Sequence, residues 1–138
     1  METVEYTHRF DYVRISGEPF PVLQLRVLSP SQPELGLDVD AYLDSGAQGS
    51  LFNGWRARAL GLDLLSGPRK QYGPIVGPSI EGRLHRVRLS HPILGNFDLE
   101  IGFSTVEITR EILGRDFFNL IQIGLRERYL TYYITPSP

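Results

Sequence analysis

A chain of 138 residues, 41% hydrophobic and 22% charged, is sized for one folded domain around one core. Its formal net charge of −2 gives no basic field for nucleic acid, and the absence of cysteine excludes disulfides and thiolate metal sites. The segment from Met1 to Arg9 is charged and lacks an apolar core of signal-peptide length, and no apolar run approaches a membrane span, so a soluble, cytoplasmic protein is expected, with no membrane partner.

In chain order, residues 10–15 alternate in part and read as a strand broken by Gly17-Glu18-Pro19. Residues 21–28 are apolar with polar residues at period two, a clear strand. Two prolines and a glycine make residues 29–36 a loop, and residues 37–43 alternate again. A short helix is expected over residues 54–60, with Asn53 as its N-cap and Gly61 as its stop; Trp55 is expected in the core or against the loop that follows residue 43. Residues 68–72 and 80–89 then form a hairpin whose tip, Gly73-Pro74-Ile75-Val76-Gly77-Pro78-Ser79, combines chain-bending residues with two apolar ones. A turn with Gly95-Asn96 at its corner precedes residues 97–103, whose apolar residues fall strictly at odd positions. A short helix over residues 116–120 and a final hairpin of residues 120–124 and 129–134 close the chain. The basic residues Arg83, His85, Arg86 and Arg88 near-alternate, which reads as the solvated face of a strand.

Chemistry concentrates in Ala41-Tyr42-Leu43-Asp44-Ser45-Gly46-Ala47, where a strand carries apolar character up to a carboxylate. Alone, Asp-Ser-Gly is a good turn. Placed at the end of a buried strand, Asp44 is expected to be partly desolvated and suited to acid–base work. The three histidines have no metal-binding spacing, and no serine-hydrolase elbow or phosphate-binding loop occurs. Asp38 and Asp40 share the outward face of one strand and read as solvated.

A second stretch, Glu111-Ile112-Leu113-Gly114-Arg115-Asp116, gives the first its context. Together, an apolar strand into Asp44-Ser45-Gly46-Ala47 and the late Ile112-Leu113-Gly114-Arg115-Asp116 resemble the retropepsin-like aspartic proteases, over residues 20–134. The resemblance implies an all-β, mostly β fold: a single acid-protease barrel over residues 1–138, with one short helix and a flap hairpin; residues 1–18 form an N-terminal extension to it, expected to add an extra strand. It implies an aspartic endopeptidase without cofactor or metal. Two Asp44 carboxylates, one from each subunit of a homodimer, would activate water against a peptide or protein substrate. Ser45 would bond across the two-fold axis and Gly46 would offer its amide to the carboxylate. Ala47 and Gln48 would edge the cleft, and Tyr72, Ile75, Val76 and Gly77 would close over the peptide. Ile112, Leu113, Gly114 and Arg115 would support the loop from behind.

Two departures accompany the resemblance. Gln48 stands where viral members commonly carry an acid that pairs with the late arginine, which leaves Asp116 or Glu111 as partners for Arg115. The N-terminal extension and the Tyr-rich final hairpin differ from the short terminal strands that interlock in viral dimers, so a dimer is expected to be built differently. Two other readings remain open: a non-catalytic module of the same fold that binds peptide or protein or dimerises, and a β-barrel interaction domain in which Asp-Ser-Gly is a turn. Burial of Leu43 together with Asp44 would count against the last.

Overall fold

The structure, a computed structural model, describes residues 1–74 and 76–136. Strands dominate: β1 (His8–Asp11), β2 (Val13–Ile15), β3 (Glu18–Phe20), β4 (Val22–Ser29), β5 (Gln32–Leu43), β6 (Leu51–Asn53), β7 (Arg69–Tyr72), β8 (Ile80–His91), β9 (Gly95–Ser104), β10 (Ile112–Leu113), β11 (Ile121–Arg126) and β12 (Thr131–Pro136). Two short helices interrupt them, α1 (Gly54–Ala59) and α2 (Arg115–Phe118). No described helix is long and apolar enough to cross a membrane.

The main sheet runs β4-β5-β10-β6-β9-β8-β7. A further pairing of β4 with β8, in the register Val27↔Leu89, closes it into a barrel. Alternation decides what lies inside. Along β4, Leu23, Leu25 and Val27 are buried while Gln24 and Arg26 are exposed; along β9, Phe97, Leu99, Ile101 and Phe103 are buried. Phe52 of β6 and Leu113 of β10 complete this interior. Full burial of each such side chain stabilises by about 1.5–3 kcal/mol.

The two ends of the chain meet in a second, three-stranded antiparallel sheet, β1-β12-β11. Tyr132 joins it to the barrel: its hydroxyl donates to the Val22 carbonyl at 2.9 Å, and Phe10 stacks on its ring at 5.2 Å. β2 and β3 form a separate hairpin, turning at Ser16 and Gly17, both with positive φ, the type I′ geometry that suits a two-residue hairpin turn.

Several elements differ from the sequence expectation. β5 begins at Gln32, so the loop after β4 shrinks; Ser29 pairs with Gln32 and Leu28 with Gly36, leaving Pro33, Glu34 and Leu35 as an unpaired bulge. The strand expected over residues 10–15 splits at Tyr12, whose N–H donates to the Leu130 carbonyl. Glu18 and Pro19, expected with Gly17 to break the chain, belong instead to β3. The turn after β8 falls on residues 92–94 rather than on Gly95-Asn96. Trp55 is 51% exposed instead of buried, with the Arg56 guanidinium 4.4 Å from its ring centre. Asn53 stands at the N-cap position of α1 but makes no cap bond; its side-chain amide instead exchanges two hydrogen bonds with the backbone of Ile108.

Candidate active site

The sheet delivers Asp44 at a crossing of chain segments. β10 pairs in parallel with β5, Ile112 beside Tyr42 and Leu113 beside Leu43. The ladder runs one step past the end of β5: the Asp44 N–H donates to the Leu113 carbonyl at 3.0 Å. Leu43 and Leu113, 5% and 0% exposed, anchor this point in the core. The chain then turns, with the Ala47 N–H donating to the Asp44 carbonyl at 3.2 Å. The Gly46 N–H donates to Asp44 Oδ1 at 2.8 Å and fixes the carboxylate against its own loop. No other described group hydrogen-bonds that carboxylate.

Asp44 itself is exposed, as are Ser45, Gly46 and Gln48, with Ala47 half-buried. Partial desolvation of Asp44 is therefore not met in the single chain. The alternation that buries Ala41 and Leu43 turns Tyr42 and Asp44 outward, and the strand end is buried while its carboxylate faces solvent.

Behind the loop, Gly114 packs against bare backbone. A Cβ there would stand 2.6 Å from the Ala47 carbonyl oxygen and 2.9 Å from that of Gly49. The Arg115 N–H donates to the Ala47 carbonyl at 2.8 Å, and the Asp116 N–H to that of Gln48 at 3.2 Å. Arg115 pairs with neither expected acid. Asp116 receives the Ser50 hydroxyl at 2.6 Å and the Ser50 N–H at 3.0 Å, while the Gly114 N–H donates to Ser50 Oγ at 3.0 Å. Glu111 takes Arg56 in a two-point ion pair at 2.6 and 2.8 Å, the side chains 11% and 10% exposed, and also accepts from the Asn53 N–H.

Residues 44–48 and 113–115 thus form one hydrogen-bonded knot. The Tyr72 ring reaches its rim at Gly49 and fills the space that a Cβ would take at Gly82 and Gly102. Burial first, then the charges of Asp116 and Glu100, push its phenol up to about 12. Val76 is 86% exposed and Gly77 adopts φ +124, both in the connection between β7 and β8; Ile75 lies outside the described residues.

Ser50, Asn53, Arg56, Glu111 and Asp116 are the supporting residues that sequence reading did not assemble. The clue for Ser50 and Asp116 is one polar residue beside each motif, but pairing them needs the parallel contact of β10 with β5. Among the described residues no group of histidine, aspartate or glutamate is arranged to hold a metal ion. Arg83 and His85 donate to carbonyls of residues 64–67, and Arg88 pairs with Asp98, so most of the basic stretch has internal partners.

No protein-family model matches the chain, and no curated protein matches it in sequence. Solved structures match in fold. A retropepsin-like aspartic protease from Rickettsia conorii superposes with a TM-score of 0.62 at 10% identity, covering 96% of this chain and 98% of that one. The EIAV protease, complexed with the inhibitor HBY-793, gives 0.50 at 19% identity, covering 78% of this chain and 92% of that one. The chain has the retropepsin fold.

Proposed function

We propose that this protein is a homodimeric aspartic endopeptidase. The observation that carries the reading is the exposed Asp44 carboxylate, held on one side by the Gly46 amide at the end of the β5–β10 parallel pair of a retropepsin fold. The chain offers one such loop, and the chemistry needs two carboxylates. A two-fold axis through the Asp44 loops supplies the second.

Brought together, the two carboxylates share one proton, because close like charges cannot both ionise; this is the general pattern of aspartic proteases. One carboxylate takes a proton from water as it attacks the scissile carbonyl. The protonated partner gives its proton to the carbonyl oxygen; the proton taken from water then passes to the leaving amine as the C–N bond breaks, and a gem-diol hydroxyl returns a proton to the partner. Water adds across the C–N bond, and the dyad returns to its starting state. Ser45 faces its counterpart across the axis, Ala47 and Gln48 edge the cleft, and the β7–β8 hairpin with Val76 and Gly77 closes over an extended peptide. Knotted behind the loop, Ile112, Leu113, Gly114 and Arg115 hold the reacting groups in place.

The test is a peptide-library digest by wild type and by Asp44→Asn purified alike. The substitution keeps shape and removes the acid–base group, so cleavage falls by about 100-fold or more while circular dichroism stays unchanged. Cleavage that persists in Asp44→Asn contradicts the assignment. Peptide binding without cleavage by either protein, at any pH from acidic to neutral, establishes the non-catalytic module instead.

A further inference from the structure

The β2–β3 hairpin joins neither sheet, yet its residues form one wall of a pocket. The pocket has a volume of about 370 Å³ and lies between Ile15, Glu18 and Phe20 of the hairpin, Tyr42 of β5, and Thr109 and Arg110 of the segment leading into β10. Tyr42 ties it to the Asp44 centre. Tyr42 lies in β5 and Asp44 one step past its end, both turned outward, so two residues of extended chain, about 7 Å, separate them. Arg110 likewise stands two residues before Ile112, which pairs with Tyr42.

The Arg110 guanidinium lies 4.6 Å from the centre of the Phe20 ring and 5.0 Å from that of Tyr42, and those rings meet edge to face at 5.3 Å. Two aromatic rings thus hold a cation, one of them on the strand that leads to Asp44. Among the described residues no carboxylate is ion-paired with it; Glu18, though it lines the same pocket, is not within pairing distance.

We propose that this pocket is a side-chain subsite of the Asp44 centre and selects an acidic residue, glutamate foremost, in the bound peptide; this rests on the peptide-cleaving reading above. Arg110 packs over the two rings and lines the pocket without an ion-pair partner among the described residues, which leaves its fork of guanidinium N–H donors for a ligand, a geometry that matches a carboxylate at two points. A glutamate carries its carboxylate on two methylenes, and Ile15 supplies apolar lining for them in the same pocket. Glu18 opposes: it repels an acid and attracts a base. The pocket is therefore a balance between Arg110 and Glu18, and each has its own predicted effect.

The experiment profiles cleavage of a peptide library by wild type, Arg110→Gln, Arg110→Glu and Glu18→Gln. In parallel, it measures binding of matched glutamate and glutamine peptides to Asp44→Asn by fluorescence anisotropy. Wild type is expected to favour glutamate over glutamine by about tenfold at one position beside the scissile bond. Arg110→Gln removes that preference, Arg110→Glu turns it toward lysine, and Glu18→Gln sharpens it. Cleavage with no acidic preference, or with one that Arg110→Gln leaves in place, overturns the subsite while the endopeptidase reading stands. Absence of cleavage with glutamate-selective binding to Asp44→Asn overturns the endopeptidase and keeps the pocket. Neither cleavage nor selective binding overturns both.

Discussion

Gly114 leaves no room for a side chain, because the Ala47 and Gly49 carbonyls occupy the place of its Cβ. Backbone cannot yield as a flexible side chain does, so Gly114→Ala pushes the Asp44 loop outward. A cost of about 1–3 kcal/mol is expected, read as a lower urea midpoint with unchanged slope. A wild-type midpoint would contradict the close packing. Tyr72 gives a second test at this scale. Its folded-state pKa of about 12 lies above the ordinary value of 10.0, so the folded chain keeps a proton that the unfolded chain loses. Stability therefore falls as pH rises from 10 toward 12, and Tyr72→Phe makes that fall shallower in urea titrations across this window. An unaltered decline would assign it elsewhere, to Tyr132 for example, whose phenol burial and Tyr12 push still higher. At this scale strand patterning points to Asp44, whereas Gly114 is marked by the resemblance of its motif to a known family. Ser50 is marked only as a polar residue near its motif: its role comes from meeting Asp116 across 66 positions of chain, a pairing that local composition does not encode.

Helix α1 and the residue just before β10 are joined by the Arg56–Glu111 pair, which sets the approach of the segment that supports Asp44. Arg56 also donates to the Asp38 carbonyl of β5, so three elements meet at one guanidinium. Glu111→Gln leaves a buried cation uncompensated and is expected to cost about 3–5 kcal/mol, whereas Arg56→Met combined with Glu111→Leu regains most of it. Chemical denaturation of the three proteins checks this; equal stability of Glu111→Gln and wild type would contradict it. Elements are legible where one face is buried and the other solvated. β9 follows its alternation closely, with Phe97, Leu99, Ile101 and Phe103 inside. Legibility fails where tertiary contacts outweigh local preference. Pro33 sits in a bulge that extends β5, and Tyr12 breaks a strand in order to bond Leu130. Trp55 stays at the surface because Ala57 and Leu60 already fill the core under α1.

Across the whole molecule, closure of the barrel and the meeting of the chain ends depend on pairings that local patterning does not encode. His8 registers with Ile134, and Val27 with Leu89. The likeness of two motifs to a known family supplied the architecture that periodicity alone left open. The terminal strands pair within one chain, β12 between β1 and β11. A dimer is therefore expected to centre on the Asp44 loops, and sedimentation at micromolar concentration is expected to find it; a monomer at all accessible concentrations would contradict this assembly. The central claim is that each site takes one Asp44 from each of two copies, and mixing wild-type with Asp44→Asn subunits at constant total concentration tests it most directly. Once subunits have exchanged, activity follows the square of the wild-type fraction and drops to about one quarter in an equal mixture. A linear decline, with about half the activity retained, would mean that each chain acts alone and would contradict the shared site.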